Sequence, residues 1–350
     1  MINKKTIKLS KISIKHWILL SVLLFIINPI LIYQAILPFK AERNFRDGYH
    51  EGMVRQRLNY AIDYLEKTKY YAPWETHYQV QLGKFYEDYA NQQTSKNEKL
   101  YYLEKAITLY KEMIILDKYN PWFTNRLAST YLQLMELIPE KKDYYLTLSE
   151  KFIKKAAFQD NKNPLFLLNY ATFLHRFDKK DQAIPYYEKV IQYDPRIAEA
   201  IYNLAEIYRE RNNLTMALNY YKILYKNNPS FENIELIIAS TLISLNKPTE
   251  SIPYLEKYNL IHTKLDPLKS LGAIYYQNSE WTKATHIYEK ILKHFPEDND
   301  AKTFLVQTLV NNNQFTKASD YLTQFIKENP NDSLSIQQLN AINEFVNQQQ

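Results

Sequence analysis

The last five units of this chain repeat with a period of 34 residues, one unit having 33: 164–197, 198–231, 232–264, 265–298 and 299–332. A period in this range is that of a helical hairpin, too small to bury its own apolar face, so each copy must stack on its neighbours. In the clearest copy, Ala198 to Pro229, Leu204, Ala205 and Tyr208 share one helical face, a polar turn follows, and Ala217, Tyr221 and Leu224 share another. The slot that is position 20 of the regular units reads Ala61, Ala106, Ser149, Ala183, Ala217, Ser251, Ala284 and Ala318 along the chain. Position 8 reads Gly83, Ala128, Ala171, Ala205, Ala239, Gly272 and Val306. A bulky side chain where two antiparallel helices cross would hold their axes apart, so both contact positions of a close crossing must be small. Position 24 is large throughout: Leu65, Tyr110, Ile153, Tyr187, Tyr221, Leu255, Tyr288 and Leu322. Pro73, Pro195, Pro229, Pro296 and Pro330 stop the second helix of their units. The fold class expected is all-α.

At these positions the chain resembles the tetratricopeptide repeat (TPR) family, which has a small residue at position 8, Ala at 20, an aromatic or aliphatic residue at 24 and Pro at 32. The resemblance implies a right-handed superhelical solenoid whose first helices line a concave surface, with positions 2, 5, 6, 9, 12 and 13 turned inward. In units 164–197 and 198–231 those positions include Asn169, Thr172, Arg176, Tyr202, Asn203, Glu206 and Arg209, the expected peptide-binding groove. An amide at position 6 can exchange two hydrogen bonds with an extended backbone, and Arg176 and Arg209 can hold carboxylates. Equally, such side chains can simply solvate an exposed helix face. The carboxylate clamp of some family members, Lys at position 5 and Asn at 9, is missing: those positions read Val80 and Lys84, Asn125 and Ser129, Leu168 and Thr172, Tyr202 and Glu206.

The array has irregular ends. Residues 41–75 form a degenerate first hairpin, placed as a cap on the membrane side. Within 76–163 lie two long TPR-like units of 45 and 43 residues, with the surplus expected between the two helices around 90–97 and 137–143, as polar projections or as longer helices and turns. Residues 164–332 hold the five regular units. Residues 333–350 supply a capping helix, with Ile336, Leu339 and Ile342 in helical spacing and Gln348 to Gln350 frayed. The 31 tyrosines include doublets such as Tyr186-Tyr187, Tyr220-Tyr221 and Tyr275-Tyr276, of which one member falls on a packing position, so core is expected rather than a stacking platform.

The N-terminus is different chemistry. From Trp17 to Phe39 no residue is charged, a run that as a helix reaches about 34 Å, enough for a hydrocarbon core of roughly 30 Å. A transmembrane helix over 17–39, bent at Asn28-Pro29, is expected, since the apolar run exceeds that of a cleaved signal peptide. The formal charge of +6 is accounted for by Lys4, Lys5, Lys8, Lys11, Lys15 and Lys40, which leaves a neutral body with no field for nucleic acid. Residues 1–16 then read as a basic cytoplasmic tail and the body as extracytoplasmic on the inner membrane. Residues 17–230, with AERNFRDGYHEG, YAPWETHYQVQLGKFYEDYA and DKYNPWFTNRLASTYLQL, resemble the TPR tail after the last membrane helix of bacterial O-antigen ligase or polymerase-type envelope proteins. That resemblance implies a setting in envelope polysaccharide assembly, without the catalytic membrane region.

Chemistry is scarce. Four glycines, none in a phosphate-cradling spacing, leave no P-loop or dinucleotide site, and the absence of cysteine removes thiolate chemistry. Seven scattered histidines offer no metal-ligand spacing, and no cofactor or metal is expected. The function expected is a membrane-anchored protein-interaction scaffold rather than an enzyme. The alternative is a non-catalytic subunit or detached TPR tail of a glycan-transfer complex.

Overall fold

The computed structural model describes residues 14–349, the side chains at 14–18, 20, 26, 29, 30 and 349 excepted. Among the described residues every regular element is a helix: α1 (Ile14–Met53), α2 (Leu58–Tyr71), α3 (Thr76–Gln92), α4 (Lys96–Leu116), α5 (Pro121–Leu137), α6 (Lys142–Gln159), α7 (Pro164–Arg176), α8 (Lys180–Tyr193), α9 (Ala198–Glu210), α10 (Leu214–Asn227), α11 (Ile234–Ser244), α12 (Pro248–Ile261), α13 (Leu265–Gln277), α14 (Trp281–His294), α15 (Asn299–Asn311), α16 (Phe315–Glu328) and α17 (Ser333–Gln349). The chain divides into two compact units, Met1–Phe173 and Leu174–Gln350, each an all-helical stack of hairpins.

The eight small residues of position 20 expose no surface. In the first unit the close crossing is visible in bonds as well as burial, since Ser149 Oγ donates to the Ala128 carbonyl, 2.9 Å away across the α5–α6 hairpin. The hairpin expected to be degenerate has its own version of the crossing. A Cβ on Gly48 would lie 2.3 Å from Leu65 Cδ1 and 3.1 Å from the Ala61 carbonyl, so Gly48 serves as the small residue opposite Ala61. The pair was hidden because 48 and 61 lie one residue further apart than 205 and 217 of the regular hairpin.

Residues 90–97 and 137–143 do not form projecting loops. Only Gln93 to Ser95 separate α3 from α4, with the Ser95 hydroxyl accepting from the Glu98 amide, and a short 3-10 helix, Pro139–Lys141, separates α5 from α6. The surplus lengthens the helices: α3 to α6 have 17, 21, 17 and 18 residues, against 13 and 14 in the α9–α10 hairpin.

The apolar run is part of one helix. α1 passes without interruption from Ile14 through the run and into the first hairpin, so no boundary exists at residue 40. The expected membrane span is not shown: among the described residues no helix is long and apolar enough to cross a membrane. Within the run, side chains at 17, 18, 20, 26, 29 and 30 lie outside the described residues, as do residues 1–13 of the expected basic tail.

In the second unit the turn between the two helices of each hairpin is set by one left-handed residue at position 15: Asp178, Asn212, Asn246, Ser279 and Asn313, all with φ of 57 to 59°. Gln56 does the same between α1 and α2. Asn and Asp bear this conformation better than other side chains with a Cβ, and the chain uses them where other proteins use glycine. At the C-terminus α17 covers the last apolar face in a register shifted from the expected one. Ile342 is buried, Leu339 and Val346 pack beside it, Ser335 is buried and Ile336 is exposed. The helix continues to Gln349, and Gln350 lies outside the described residues.

Candidate functional site

The expected groove residues divide between the two units. Asn169 and Thr172 belong to the first, on α7, where Asn169 Nδ2 donates to Asn125 Oδ1 of α5 at 3.1 Å. Two amides on successive first helices are thus joined side by side. The signal for Asn125 was its place on the inward side of the preceding first helix, one position from the register of Asn169.

Arg176, Tyr202, Asn203, Glu206 and Arg209 belong to the second unit. Tyr202, Asn203, Glu206 and Arg209 fall on one face of α9 because they are spaced by one, three and three residues. Tyr202 is half-buried, with its ring 5.2 Å from that of Phe231 and 6.4 Å from that of Tyr221. Burial, then the charge of Glu206, pushes its hydroxyl pKa up. Arg209 does not wait for a ligand carboxylate: its Nε donates to Glu206 Oε2 at 3.0 Å, and its Nη2 donates to the same oxygen. The Tyr221 hydroxyl donates to Glu206 Oε1. Burial pushes the Glu206 carboxyl up, but the bonds from Arg209 and Tyr221 together outweigh it and hold the group below the usual carboxylate range. Arg176 is exposed, with its guanidinium 5.6 Å from the Phe177 ring centre. His175 lies edge-on to Tyr187, and burial pushes its imidazole pKa down.

The same pattern of internal pairing holds for neighbouring charges, with Lys180 bridging Glu210 at 2.8 Å and Asp178 at 3.3 Å, and Arg211 paired with Asp181. Asn203 stands apart. Half-buried on α9, its side chain makes no hydrogen bond to any described residue, which leaves the amide's hydrogen-bonding capacity unspent within the unit.

Two features were not anticipated. In the first unit Glu87, on α3, is almost fully buried and accepts from Tyr110 at 2.7 Å, Arg126 at 2.8 Å and Thr130 at 3.2 Å. In the second unit a cleft of about 620 Å³ opens along α12, α13 and α14, lined by buried Leu271 and Ile287, exposed Leu260, and Lys283, His286 and Lys290. Among the described residues no cluster of three or more His, Asp or Glu side chains is poised to hold a metal ion.

Comparison with known proteins bears on the repeats. Residues 176–230 and 275–341 each match a family profile described as tetratricopeptide repeat. No curated protein matches the chain. Similar solved structures include a tetratricopeptide repeat protein from Parabacteroides merdae, 14% identical over 77% of this chain and 99% of that one, with a TM-score of 0.44. They also include TTC0263 of Thermus thermophilus, a thermophilic TPR protein, 17% identical over 58% of this chain and 99% of that one, TM-score 0.42. A third is YrrB, described as a TPR protein with an unusual peptide-binding site, 17% identical over 53% of this chain and 96% of that one, TM-score 0.40. With close-crossing hairpins on the page and both profiles falling on them, residues 176–230 and 275–341 carry tetratricopeptide repeats.

Proposed function

We propose that this chain is a membrane-anchored scaffold that binds an extended segment of a protein partner along the first-helix faces of its repeats. The observation that carries the reading is Asn203: an amide with no internal partner, on a face where Arg209 and Glu206 have already neutralised each other. Such a face selects hydrogen bonding to a backbone over recognition of a charged terminus. Arg176 and Tyr202 are the remaining members on the second unit in this reading, and Asn169 and Thr172 belong to the first unit's own first-helix face.

Anchoring rests on the uncharged run of 17–39, with apolar side chains such as Leu19, Phe25, Leu31 and Phe39 exposed around the helix. A helix apolar on all sides is stable in lipid and not in water. The five lysines ahead of the run favour a cytoplasmic N-terminus and an extracytoplasmic body on the inner membrane. The setting in bacterial envelope polysaccharide assembly, as a scaffold or as a non-catalytic subunit of a glycan-transfer complex, is supported by the sequence resemblance of residues 17–230.

The test is photocrosslinking of the full chain in membranes through a probe at position 203, with identification of the crosslinked segment. Asn203→Ala should leave the fold intact and weaken capture about tenfold, the loss of one bidentate amide contact. Crosslinks from His286 in place of position 203 would move the binding site to the α12–α14 cleft. Protease added to cells with an opened outer layer should digest residues 41–350, and protection of that body would overturn the orientation.

A further inference from the structure

We propose that the edge of the first unit from which the apolar half of α1 departs docks on the headgroup layer of the bilayer, an inference that rests on the anchor reading above. The edge is defined by a ladder of contacts at one level. The Thr68 hydroxyl reaches the Ala41 carbonyl at 3.5 Å, and Lys40 lies 5.6 Å from the ring centres of both Tyr33 and Tyr71. The end of α2 therefore sits where the uncharged run gives way to the first charge after it. Lys69 of α2 bridges Glu112 of α4 at 2.6 Å, and Gln159 of α6 donates to the Lys118 carbonyl after α4 at 2.6 Å. Three second helices thus end at the height at which α1 leaves the hairpin stack.

What these ends present is a set of exposed large apolar and aromatic side chains among polar turn residues, with Lys118 over the Tyr119 ring. Tyr70, Trp74, Ile115, Leu116, Tyr119 and Phe158 are all exposed, Ile115 and Tyr119 by 81% and 76%. The opposite edge of the same hairpins has mainly polar turns, Arg55-Gln56-Arg57, Gln93-Thr94-Ser95 and Pro139–Lys141, with Val54 and Met53 exposed beside the first. Tyrosine and tryptophan seek the boundary between hydrocarbon and headgroups, where the ring is desolvated and the polar atom stays wet. Because α1 is one uninterrupted helix, an edge at its exit lies across the helix axis and faces the surface that the helix enters. Continuity selects lipid as the occupant, since an edge that lies at the exit of the charge-free run meets the headgroups wherever that run is inserted.

The chain has no cysteine, so single labels report unambiguously. The full-length chain is reconstituted in vesicles of neutral and anionic phospholipid with an environment-sensitive fluorophore at Phe25→Cys, Lys118→Cys or Thr94→Cys, and quenched by lipids carrying a spin label. Docking predicts a blue shift and loss of emission at position 118 with a shallow quencher, and neither at position 94 on the opposite edge. Quenching at 118 should fall when Trp74→Ser, Ile115→Ser and Tyr119→Ser are combined, three exposed sites whose change leaves the core untouched. Loss of emission at 25 with a deep quencher reads the anchor by itself. Quenching at 25 with position 118 no more affected than 94, or unchanged by the triple substitution, overturns docking while the anchor stands. Quenching at 118 without 25 keeps the surface and removes the span, and quenching at neither removes both. A blue shift at 118 without lipid quenching assigns the edge to a protein and overturns docking.

Discussion

Gly83 and Tyr110 form a tight small-to-large pair in the first unit. A Cβ at position 83 would fall 2.4 Å from Tyr110 Cε1, and the ring cannot retreat, because it exposes no surface and its hydroxyl is bonded to Glu87 at 2.7 Å. Gly272 is the same repeat position but faces a looser neighbour: its Cβ would lie 3.0 Å from Tyr288, whose hydroxyl has no hydrogen bond among the described residues. Overpacking costs roughly 1–3 kcal/mol, while removing a glycine from a helix interior returns about 1 kcal/mol. Gly83→Ala should therefore destabilise the chain in urea titration, and Gly272→Ala should leave it near neutral. Equal effects at both sites would mean that the tyrosine's tether to Glu87 does not decide how far the ring can move. The tether is a general device here. Tyr86 donates to Glu66 at 2.7 Å, Tyr321 to Glu289 at 3.0 Å, and Tyr275 to Glu256, so tyrosines bury their rings in the stack and spend their hydroxyls on glutamates of a neighbouring helix. Of the doublets, Tyr187, Tyr221 and Tyr275 are the buried members and Tyr186, Tyr220 and Tyr276 are half-exposed, as their repeat positions require.

The hairpin as an element was legible wherever its spacing was regular. Ala205 and Ala217, twelve positions apart, announce the crossing of α9 and α10 because the turn between them is fixed by one left-handed residue, Asn212. Where the turn changes, the spacing changes and legibility is lost. Gly48 was missed for one added residue, and within 76–163 the choice between polar projections and longer helices stayed open because local composition cannot tell a polar helix end from a polar turn. The groove was legible only as a set of positions. Glu206 and Arg209 could be placed on one face of α9 by periodicity, but that they neutralise each other depends on rotamers and on Tyr221 arriving from α10. The turns themselves are open to test. A side chain other than Asn, Asp or Gly in the left-handed region carries about 1 kcal/mol of strain. Asn246→Ala should lose about that much stability and Ser279→Gly should gain somewhat less, as urea midpoints. A stable Asn246→Ala chain would show that the turn is held by helix packing and not by its own conformation.

Each of the two units holds a glutamate paired with a tyrosine and an arginine, yet the two respond to pH in opposite senses. At Glu87, burial pushes the carboxyl up and the charge of Arg126 does not bring it back. At Glu206 burial is outweighed by Arg209 and Tyr221, and the carboxyl sits low. The folded chain therefore binds the Glu87 proton more tightly than the unfolded chain does, and stability falls as pH rises from the ordinary glutamate value, about 4.3, through the raised one. For Glu206 the unfolded chain is the tighter proton binder. Its contribution is complete above about 4.3 and is lost as pH falls through the lowered value. Glu87→Gln should then gain on the wild type as pH climbs from about 4.3 toward neutrality and run parallel to it below. Glu206→Gln should run parallel to the wild type above about 4.3 and close its deficit below. A single fluorophore in each unit, attached through an introduced cysteine, reads the two urea transitions separately. If both variants diverge from the wild type on the same side of the glutamate value, then the partners of the two carboxylates, and not their burial, set the acid response of both units.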